Sequence, residues 1–286
     1  MSFSINTNNN ALAALETLNN TQQAMTRTQN RVSSGLKVAG AADDASTFAI
    51  AQGQRGDIAG FQQVSSSLAL GSAVVNVALQ GAQSISDTLN LIKAKVVQAQ
   101  GAATDADAAK IQGDIKSFLT QIDSTVNAAS FNGANLISKN AVDDSVLSSL
   151  NTVVTAGVAA ETADHINVTA QKLDTATLLI AALDVGSVVK AIGAAGDTAL
   201  GLVNTAIAAV TTSLAALGTS ANQLTAQSNF VKSLTDTLTS GVGTLVDADL
   251  AAESANLQAL QTKQQLGIQA LSIANQGPGA ILTLFR

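Results

Sequence analysis

Residues 61–99 read FQQVSSSLALGSAVVNVALQGAQSISDTLNLIKAKVVQA, and two heptad positions of this stretch are apolar or glycine throughout. The first position holds Phe61, Leu68, Val75, Ala82, Leu89 and Val96, and the position three residues later holds Val64, Gly71, Ala78, Ile85, Ile92 and Ala99. A period of 3.5 residues keeps one apolar stripe of a helix directed at a partner helix. The stretch therefore predicts a long helix within a coiled coil.

A second heptad stripe follows in residues 200–245. It holds Val203, Val210, Leu217, Leu224, Val231, Leu238 and Leu245, with Leu200, Ile207, Leu214, Ala221 and Val242 beside them. Because two apolar stripes of one chain can bury each other, we expect an intramolecular coiled coil between them. The predicted fold is mainly α, a long antiparallel helical rod with a small β-hairpin region.

Composition favours such a rod over a globular enzyme. Hydrophobic residues make up 47% of the 286 residues but aromatic residues only 2%, and Pro278 is the single proline. The net charge of −6 leaves no basic patch for nucleic acid, and the absence of cysteine excludes disulfides and thiolate chemistry. Residues 198–231 are uncharged and long enough to span a membrane, but their polar side chains lie off the heptad stripe and favour an amphipathic helix.

Five helices are predicted from apolar spacing and from start and stop signals. They cover about residues 4–36, 43–100, 104–130, 191–245 and 249–275. Thr104 with Asp107 resembles a capping box before the third helix, and Asn132-Gly133 predicts a turn after it. Residues 146–154 and 166–170 are predicted to be short strands of a hairpin.

Acidic side chains cluster at three places: Asp43 with Asp44, Asp143 with Asp144, and Asp247 with Asp249 and Glu253. A metal site is one interpretation, but no glycine-containing calcium loop surrounds them, and helix capping or a solvated loop is preferred. An acid–base pair is another, but no nucleophile or cleft accompanies it. The single histidine, His165, excludes a multi-histidine metal site. We therefore predict no catalytic, cofactor-binding or metal-binding residues.

The two ends of the chain are almost free of charge. Glu16 is the only charged side chain before Arg27, and after Glu253 only Lys263 and Arg286 are charged. Isolated helices of this kind gain little stability in water, so we expect the ends to be disordered in the monomer and ordered on assembly. The residues predicted to pack between subunits are Leu12, Leu15, Leu18, Leu257, Leu260, Ile268 and Leu271.

Ordered motifs at both ends resemble those of bacterial flagellins. They are Ile5-Asn6-Thr7-Asn8, Arg31-Val32-Ser33-Ser34-Gly35-Leu36, Ala41-Ala42-Asp43-Asp44-Ala45, Phe131-Asn132-Gly133-Ala134-Asn135-Leu136, Ala274-Asn275-Gln276 with Pro278, and Leu284-Phe285-Arg286. The resemblance covers about residues 1–136 and 195–286. Because the middle carries no family signal and the chain is short, it resembles a type with little or no outer variable domain.

The resemblance implies a structural subunit, not an enzyme, that polymerises into the hollow extracellular filament used for swimming. Residues 1–40 and 250–286 would form an inner coiled-coil tube, residues 41–136 and 186–249 the helical rod domain, and residues 137–185 an irregular β-hairpin surface segment. The alternative within the same family is a hook–filament junction protein.

The resemblance also implies the partners and the route of secretion. The implied partners are further copies of the chain or other flagellins, an export chaperone, and the filament cap and hook-junction proteins, with no nucleic acid and no membrane. Residues 5–10 are mostly Asn and Thr and the first positive side chain is Arg27, so no secretory signal peptide is predicted. Flagellar type III export is the expected route.

One motif departs from the family pattern. Many flagellins are recognised by Toll-like receptor 5 through a Leu-Gln-Arg-Val-Arg-Glu-Leu stretch, and the aligned residues here run from Leu89 to Lys95. Leu91 replaces the first arginine, Lys93 the second, and Ala94 the glutamate. Because a leucine cannot supply the donor fork of a guanidinium group, weak or no recognition is expected.

Overall fold

The structure, a computed structural model, describes residues 8–150, 165–186 and 194–284, with the backbone alone for 194–196 and 277–284. Its described elements are α1 (Asn9–Ser34), α2 (Ala45–Gln100), α3 (Asp105–Ala128), β1 (Asp144–Leu147), β2 (His165–Val168), α4 (Ala194–Val246) and α5 (Leu250–Leu284). Helices account for about three quarters of the residues that the structure describes, so the predicted mainly α fold is confirmed. Parts of three predictions lie outside the described residues: residues 4–7 of the first helix, residues 151–154 of the hairpin, and residues 191–193 of the fourth helix.

The chain forms two compact units. The first contains residues 1–58 and 236–286, and the second contains residues 59–235. The segment boundaries expected from the sequence at residues 40 and 250 both fall within the first unit.

The heptad stripe of residues 61–99 forms the centre of the second unit. Its members are fully buried or nearly so from Val64 to Ala99, and Phe61 at its start is half-buried. The core also contains Val203, Val210, Leu217, Leu224 and Val231 of α4 and the apolar face of α3. Burying a branched aliphatic side chain contributes about 1.5–3 kcal/mol, so this continuous stripe contributes substantially to the unit's stability. Leu238, predicted as a further member of the stripe, belongs to the first unit and is half-buried.

Two helices have the length and composition of a membrane span, Ala45–Gln100 and Asp197–Val246. Their apolar side chains are largely those of the two heptad stripes, whose members in the second unit line its core. The polar side chains between the stripes, such as Asn204 and Thr211, are exposed. Both helices thus have the amphipathic character that the sequence predicts.

Local signals at the two ends of α3 act as predicted. The Thr104 Oγ1 accepts a hydrogen bond from the Asp107 backbone N–H at 3.2 Å and donates to the Asp107 carboxylate at 2.8 Å. Beyond the helix, Asn132 and Gly133 have φ angles of 52° and 83°, and Phe131 and Ala134 exchange two backbone hydrogen bonds. Positive φ at both central positions is the requirement of the tight turn that Asn-Gly favours.

Polar side chains tie the irregular segment after α3 to the helices. The amide of Gln112 is buried and makes two bonds to one backbone stretch: its Nε2 donates to the Leu183 carbonyl at 2.8 Å and its Oε1 accepts from the Val185 N–H at 2.7 Å. From α4, Gln227 Nε2 donates to the Ser148 carbonyl at 2.7 Å. These amides satisfy backbone groups that no helix or strand pairs.

The two short strands confirm part of the predicted hairpin. β1 and β2 pair antiparallel, with Val146 opposite Ile166. Val146, Ile166 and Val168 are buried in the core of the second unit, while Ser145 and Asn167 alternate outward. This period of two gives the small sheet one buried face.

Three glycines of α2 make room for the segment that contains β1. A Cβ at Gly60 would lie 2.6 Å from Leu150 Cδ1, and one at Gly81 would lie 2.8 Å from Ile137 Cδ1. A Cβ at Gly71 would overlap the Val146 side chain. None of the three has a positive φ, so packing and not backbone conformation favours glycine here, most strongly at Gly71, where the neighbour is the branched Val146 side chain.

One predicted boundary is wrong. The sequence places the end of the last helix near Asn275, but α5 continues through Pro278 to Leu284. Proline inside a helix removes one backbone hydrogen bond, here the bond to the carbonyl of Ala274. That carbonyl instead accepts a hydrogen bond from the Asn8 side chain at 2.7 Å. The sequence-based prediction did not include this distant donor.

We expect Gly71→Ala to destabilise the second unit by about 1–3 kcal/mol, because the new methyl group meets a stiff β-branched side chain in a packed core. Gly113→Ala is the matched control: it lies in the interior of α3 with open space around its Cα and should stabilise the helix by about 0.5–1 kcal/mol. Urea unfolding of both variants measures this. Equal effects of the same sign would contradict the packing argument.

Candidate functional site

In the first unit, α1 and α5 pack against each other as an antiparallel pair. The side chains along their seam recur at alternating spacings of three and four residues. They are Ala11, Ala14, Leu18, Thr21, Met25 and Thr28 of α1 and Leu257, Leu260, Gln264, Gly267, Leu271 and Ala274 of α5. This spacing defines a third heptad seam, built mainly from small and polar side chains.

Polar contacts set the register of this seam at three levels. At one end Asn8 Nδ2 donates to the Ala274 carbonyl, and in the middle Gln264 Nε2 donates to Gln22 Oε1 at 2.6 Å. At the other end the Arg31 guanidinium and the Glu253 carboxylate form an ion pair at 3.1 Å. Each contact joins a residue of α1, or its N-cap, to a residue of α5, so one helix cannot slide along the other without breaking all three.

The chain reverses tightly after α1 and before α5. Gly35 ends α1 with a φ of 72°, which is left-handed, and its N–H donates to the Arg31 carbonyl at 2.9 Å. The Lys37 N–H donates to the Val246 carbonyl at 2.7 Å, and the Ala248 N–H to the Gly35 carbonyl at 2.9 Å. A small core of Val38, Ala51, Val242 and Val246 lies in this unit. The two linkers are therefore joined backbone to backbone.

The acidic clusters at these reversals serve as caps and loop acceptors. Asp44 Oδ1 accepts from the Ser46 and Thr47 N–H groups at the start of α2, and Asp249 Oδ1 accepts from the Ala251 and Ala252 N–H groups at the start of α5. The Thr47 hydroxyl and N–H lower the pKa of the Asp44 carboxyl below its ordinary value. A lowered pKa means that the cap stabilises above the ordinary carboxyl range and is lost as the pH falls through that pKa.

No group of three or more His, Asp or Glu side chains suited to a metal ion occurs in the part of the chain that the structure describes. Asp43 accepts from the Ala39 and Gly40 N–H groups, and Asp143 accepts from the Ala170 N–H. These contacts fix loops.

The seven residues predicted to pack between subunits fall into two groups. Leu12, Leu15 and Ile268 are exposed, by 59%, 43% and 54%. The other four, Leu18, Leu257, Leu260 and Leu271, are half-buried in the seam between α1 and α5. The structure therefore leaves three of the seven available to a neighbouring molecule and uses four within the chain.

Sequence reasoning missed further exposed apolar residues of α5. Leu250, Leu266 and Ile273 are 50%, 58% and 71% exposed. Leu266 and Ile273 could have been found from the sequence, because their separation of seven residues places them on one stripe of the helix beside the seam. No side chain of α5 from residue 250 to 276 is buried.

The altered receptor motif lies on α2. Leu89 is fully buried in the core, whereas Leu91 is 53% exposed and Lys93 and Ala94 are exposed. Lys95 forms an ion pair with Asp114 of α3 at 2.7 Å. The positions that depart from the family pattern thus face outward.

Two family models match the chain: the bacterial flagellin N-terminal helical region over residues 5–142, and the bacterial flagellin C-terminal helical region over residues 200–285. Together they cover more than half of the sequence, including both heptad stripes and the pair formed by α1 and α5.

The chain belongs to the flagellin family.

Relatives match along nearly their whole length. A flagellin of Brucella melitensis is 41% identical over 99% of both chains, and flagellin FljM of Caulobacter vibrioides is 39% identical over 99% of this chain and 98% of its own. Flagellin A of Rhizobium meliloti is 32% identical, and its alignment runs over 397 positions although this chain has 286 residues. The chain is thus a short flagellin, consistent with a minimal variable region.

Membership of this family assigns a structural role. The chain is a subunit of the bacterial flagellar filament, which is a self-assembled polymer, and it is not an enzyme. The hook–filament junction protein considered from the sequence is not favoured. The outward faces of α1 and α5 are accordingly candidate surfaces for contacts between subunits.

The seam between α1 and α5 should accept one additional methyl group. A Cβ at Gly267 would lie 3.4 Å from Leu18 Cδ1, an ordinary van der Waals contact. Gly267→Ala should therefore slow hydrogen exchange of the neighbouring α5 amides, because alanine favours the helix by about 0.5–1 kcal/mol over glycine. Gly267→Val, which adds two methyl groups next to Leu18, is the contrasting variant and should not slow hydrogen exchange of these amides. Faster exchange in the alanine variant would contradict the contact geometry.

Proposed function

We propose that subunits contact one another in the filament through the outer faces of α1 and α5. The observation that carries the proposal is the incomplete burial of this pair. Its seam has only two buried side chains in α1, Met25 and Thr28, and none in α5 up to residue 276. The stripe of α2 from Val64 to Ala99, by contrast, is almost wholly buried. A two-helix pair with an open seam gains most of its missing burial from neighbouring molecules.

The charge pattern of the two helices supports the same role. Glu16 is the only charged side chain of α1 before Arg27, and Lys263 is the only one of α5 after Glu253. Burying an unpaired charge costs several kcal/mol, so a surface that is covered on assembly is best kept uncharged. The exposed leucines and isoleucine add apolar area to that surface, while Gln and Asn keep it soluble before assembly.

The energetics make assembly depend on a template. Ordering each residue costs about 1–2 kcal/mol in conformational entropy, whereas burying each further leucine side chain stabilises the assembly by about 1.5–3 kcal/mol. Few large apolar side chains are available on either end, so one pair of ends gains too little by itself. Contacts with several neighbours at once, as at the tip of a growing filament, offset the cost.

The segments take the following roles in this proposal. Residues 1–40 and 250–286 form the inner coiled-coil tube, residues 41–136 and 186–249 form the helical rod, and residues 137–185 form its irregular surface segment. Export follows the flagellar type III route, with a chaperone on the C-terminal helix. Cap and hook-junction proteins lie at the two ends of the filament, and other flagellins can be subunits of the same filament. Family membership and the uncharged ends support these roles.

Leu12→Gln with Leu15→Gln tests the packing surface. Both side chains are exposed in the subunit, so the fold should be retained, with thermal unfolding unchanged within experimental error. If neighbours bury them, each loss costs about 1.5 kcal/mol or more, and the critical concentration for seeded polymerisation should rise about 100-fold. Sedimentation of filaments at graded protein concentrations measures it.

Val142→Gln is the matched control, because Val142 is 77% exposed and lies outside α1 and α5. It should polymerise like the parent protein. Normal polymerisation of the Leu12→Gln, Leu15→Gln variant, or an equal defect in the control, would remove the proposed surface.

We further propose that this flagellin activates Toll-like receptor 5 weakly or not at all. Leu91 and Ala94 lie on the outer face of α2, where the family motif has an arginine and a glutamate. Neither side chain offers a hydrogen-bond donor or acceptor to a receptor. Because both are already solvent-exposed, restoring the polar groups should leave the fold intact.

The test is a receptor reporter assay in cells with monomeric protein. The parent chain should give a response near background, and Leu91→Arg with Ala94→Glu should raise it at least about ten-fold, the factor that one recovered charge-assisted bond of about 1.5 kcal/mol supplies. Leu70→Arg, at another exposed leucine of α2, is the control and should not raise it. A full response from the parent chain would overturn the proposal.

A further inference from the structure

The side-chain amide of Asn8 makes two different hydrogen bonds at the end of the pair formed by α1 and α5. Its Oδ1 accepts from the Ala11 backbone N–H at 3.1 Å, so Asn8 is the N-cap of α1. Its Nδ2 donates to the Ala274 carbonyl of α5 at 2.7 Å. The oxygen thus caps the helix that follows Asn8, and the nitrogen binds a carbonyl of α5 that lies 266 positions away in the sequence.

The carbonyl that Asn8 reaches is the one that Pro278 leaves without a helical partner. In an α-helix the N–H of residue 278 would donate to the carbonyl of residue 274. Proline has no N–H, so this bond cannot form, and a proline in a helix interior usually breaks or kinks the helix. α5 nevertheless continues to Leu284. The Asn8 amide supplies the missing donor.

We propose that Asn8 is a positioning residue that holds α5 helical through Pro278, so that the C-terminal turns of α5 order only when the start of α1 is docked beside them. The proline makes the last turns of α5 unstable on their own, and the asparagine makes their stability conditional on the other end of the chain. The two ends of the subunit are thereby coupled by one hydrogen bond between positions far apart in sequence.

A simple capping role for Asn8 makes different predictions. Aspartate caps a helix about as well as asparagine but has no donor when ionised. Asn8→Asp therefore keeps the bond to the Ala11 N–H and removes the bond to the Ala274 carbonyl. In the Pro278→Ala background the backbone N–H of residue 278 returns, and the Ala274 carbonyl no longer needs an outside donor.

The decisive experiment is a double-mutant cycle with Asn8→Asp and Pro278→Ala in the full-length chain, read by hydrogen exchange of the α5 amides after residue 270. In the parent background, Asn8→Asp should speed this exchange about three- to ten-fold, the factor expected for one lost hydrogen bond. In the Pro278→Ala background the same substitution should change exchange by less than about two-fold. Equal effects in the two backgrounds, or none in either, would overturn the proposal.

A second measurement follows the consequence for the polymer and rests on the proposed role of the two ends. Asn8→Asp should raise the critical concentration for seeded polymerisation about three- to ten-fold, and Pro278→Ala should restore it to within about two-fold of the value for Pro278→Ala alone. Asn8→Ser, which keeps a cap but cannot span the same distance, should behave like Asn8→Asp. If the effect of Asn8→Asp on hydrogen exchange depends on Pro278 but polymerisation does not change, the assembly role of these ends is contradicted. If the effect on hydrogen exchange does not depend on Pro278, the proposed hydrogen-bond coupling itself is contradicted.

Discussion

Burial of one heptad stripe of α2 is the constraint on which the second unit depends. From Val64 to Ala99 the stripe is almost free of solvent, and α3, α4 and the small sheet all pack into the same core. Because the apolar stripe is continuous over this whole length, each element that covers it must either be long or pack closely against α2. The glycines at 60, 71 and 81 provide the second condition, since they allow the segment around β1 to approach the helix backbone. Apolar periodicity therefore supplies the stability of the unit, and the glycines determine which segment lies against α2.

The first unit has the same period but a different content. More than half of the seam members between α1 and α5 are Ala, Thr, Gln or Gly, beside Met25 and four leucines, whereas Val, Ile and Leu predominate in the α2 stripe. Polar contacts at Asn8, Gln22 and Arg31 fix the register of the seam. Small side chains let two helices approach closely but bury little apolar area. The pair is consequently well specified in register and weakly stabilised by itself. That combination suits a helix pair that has one register and becomes stable in it when neighbouring molecules contact the pair.

Much of this architecture is predictable from sequence, because heptad periods, caps and Asn-Gly turns are local signals. The bounds of α2, the capping of α3 by Thr104 and the turn at Asn132 follow from residues within a few positions of one another. The continuation of α5 past Pro278 does not, since its donor is 266 residues away. Nor does the division between exposed Leu12 and seam-bound Leu18, because both occupy apolar positions of α1 and only the partner helix distinguishes them. The buried amide of Gln112, which binds backbone at 183 and 185, is equally invisible to local pattern.

The contrast between the units explains why the two ends of the chain belong together in function. A fully buried stripe is stable before any partner arrives, so the second unit can fold first and present its surface unchanged. A half-buried seam with uncharged outer faces gains stability with each neighbour that covers it. Pro278 increases this dependence, because a helix that loses a bond at residue 274 needs the N-terminal segment to complete it. Coupling the ends in this way prevents one end from becoming ordered without the other, so both helices reach their register together as neighbouring subunits cover them.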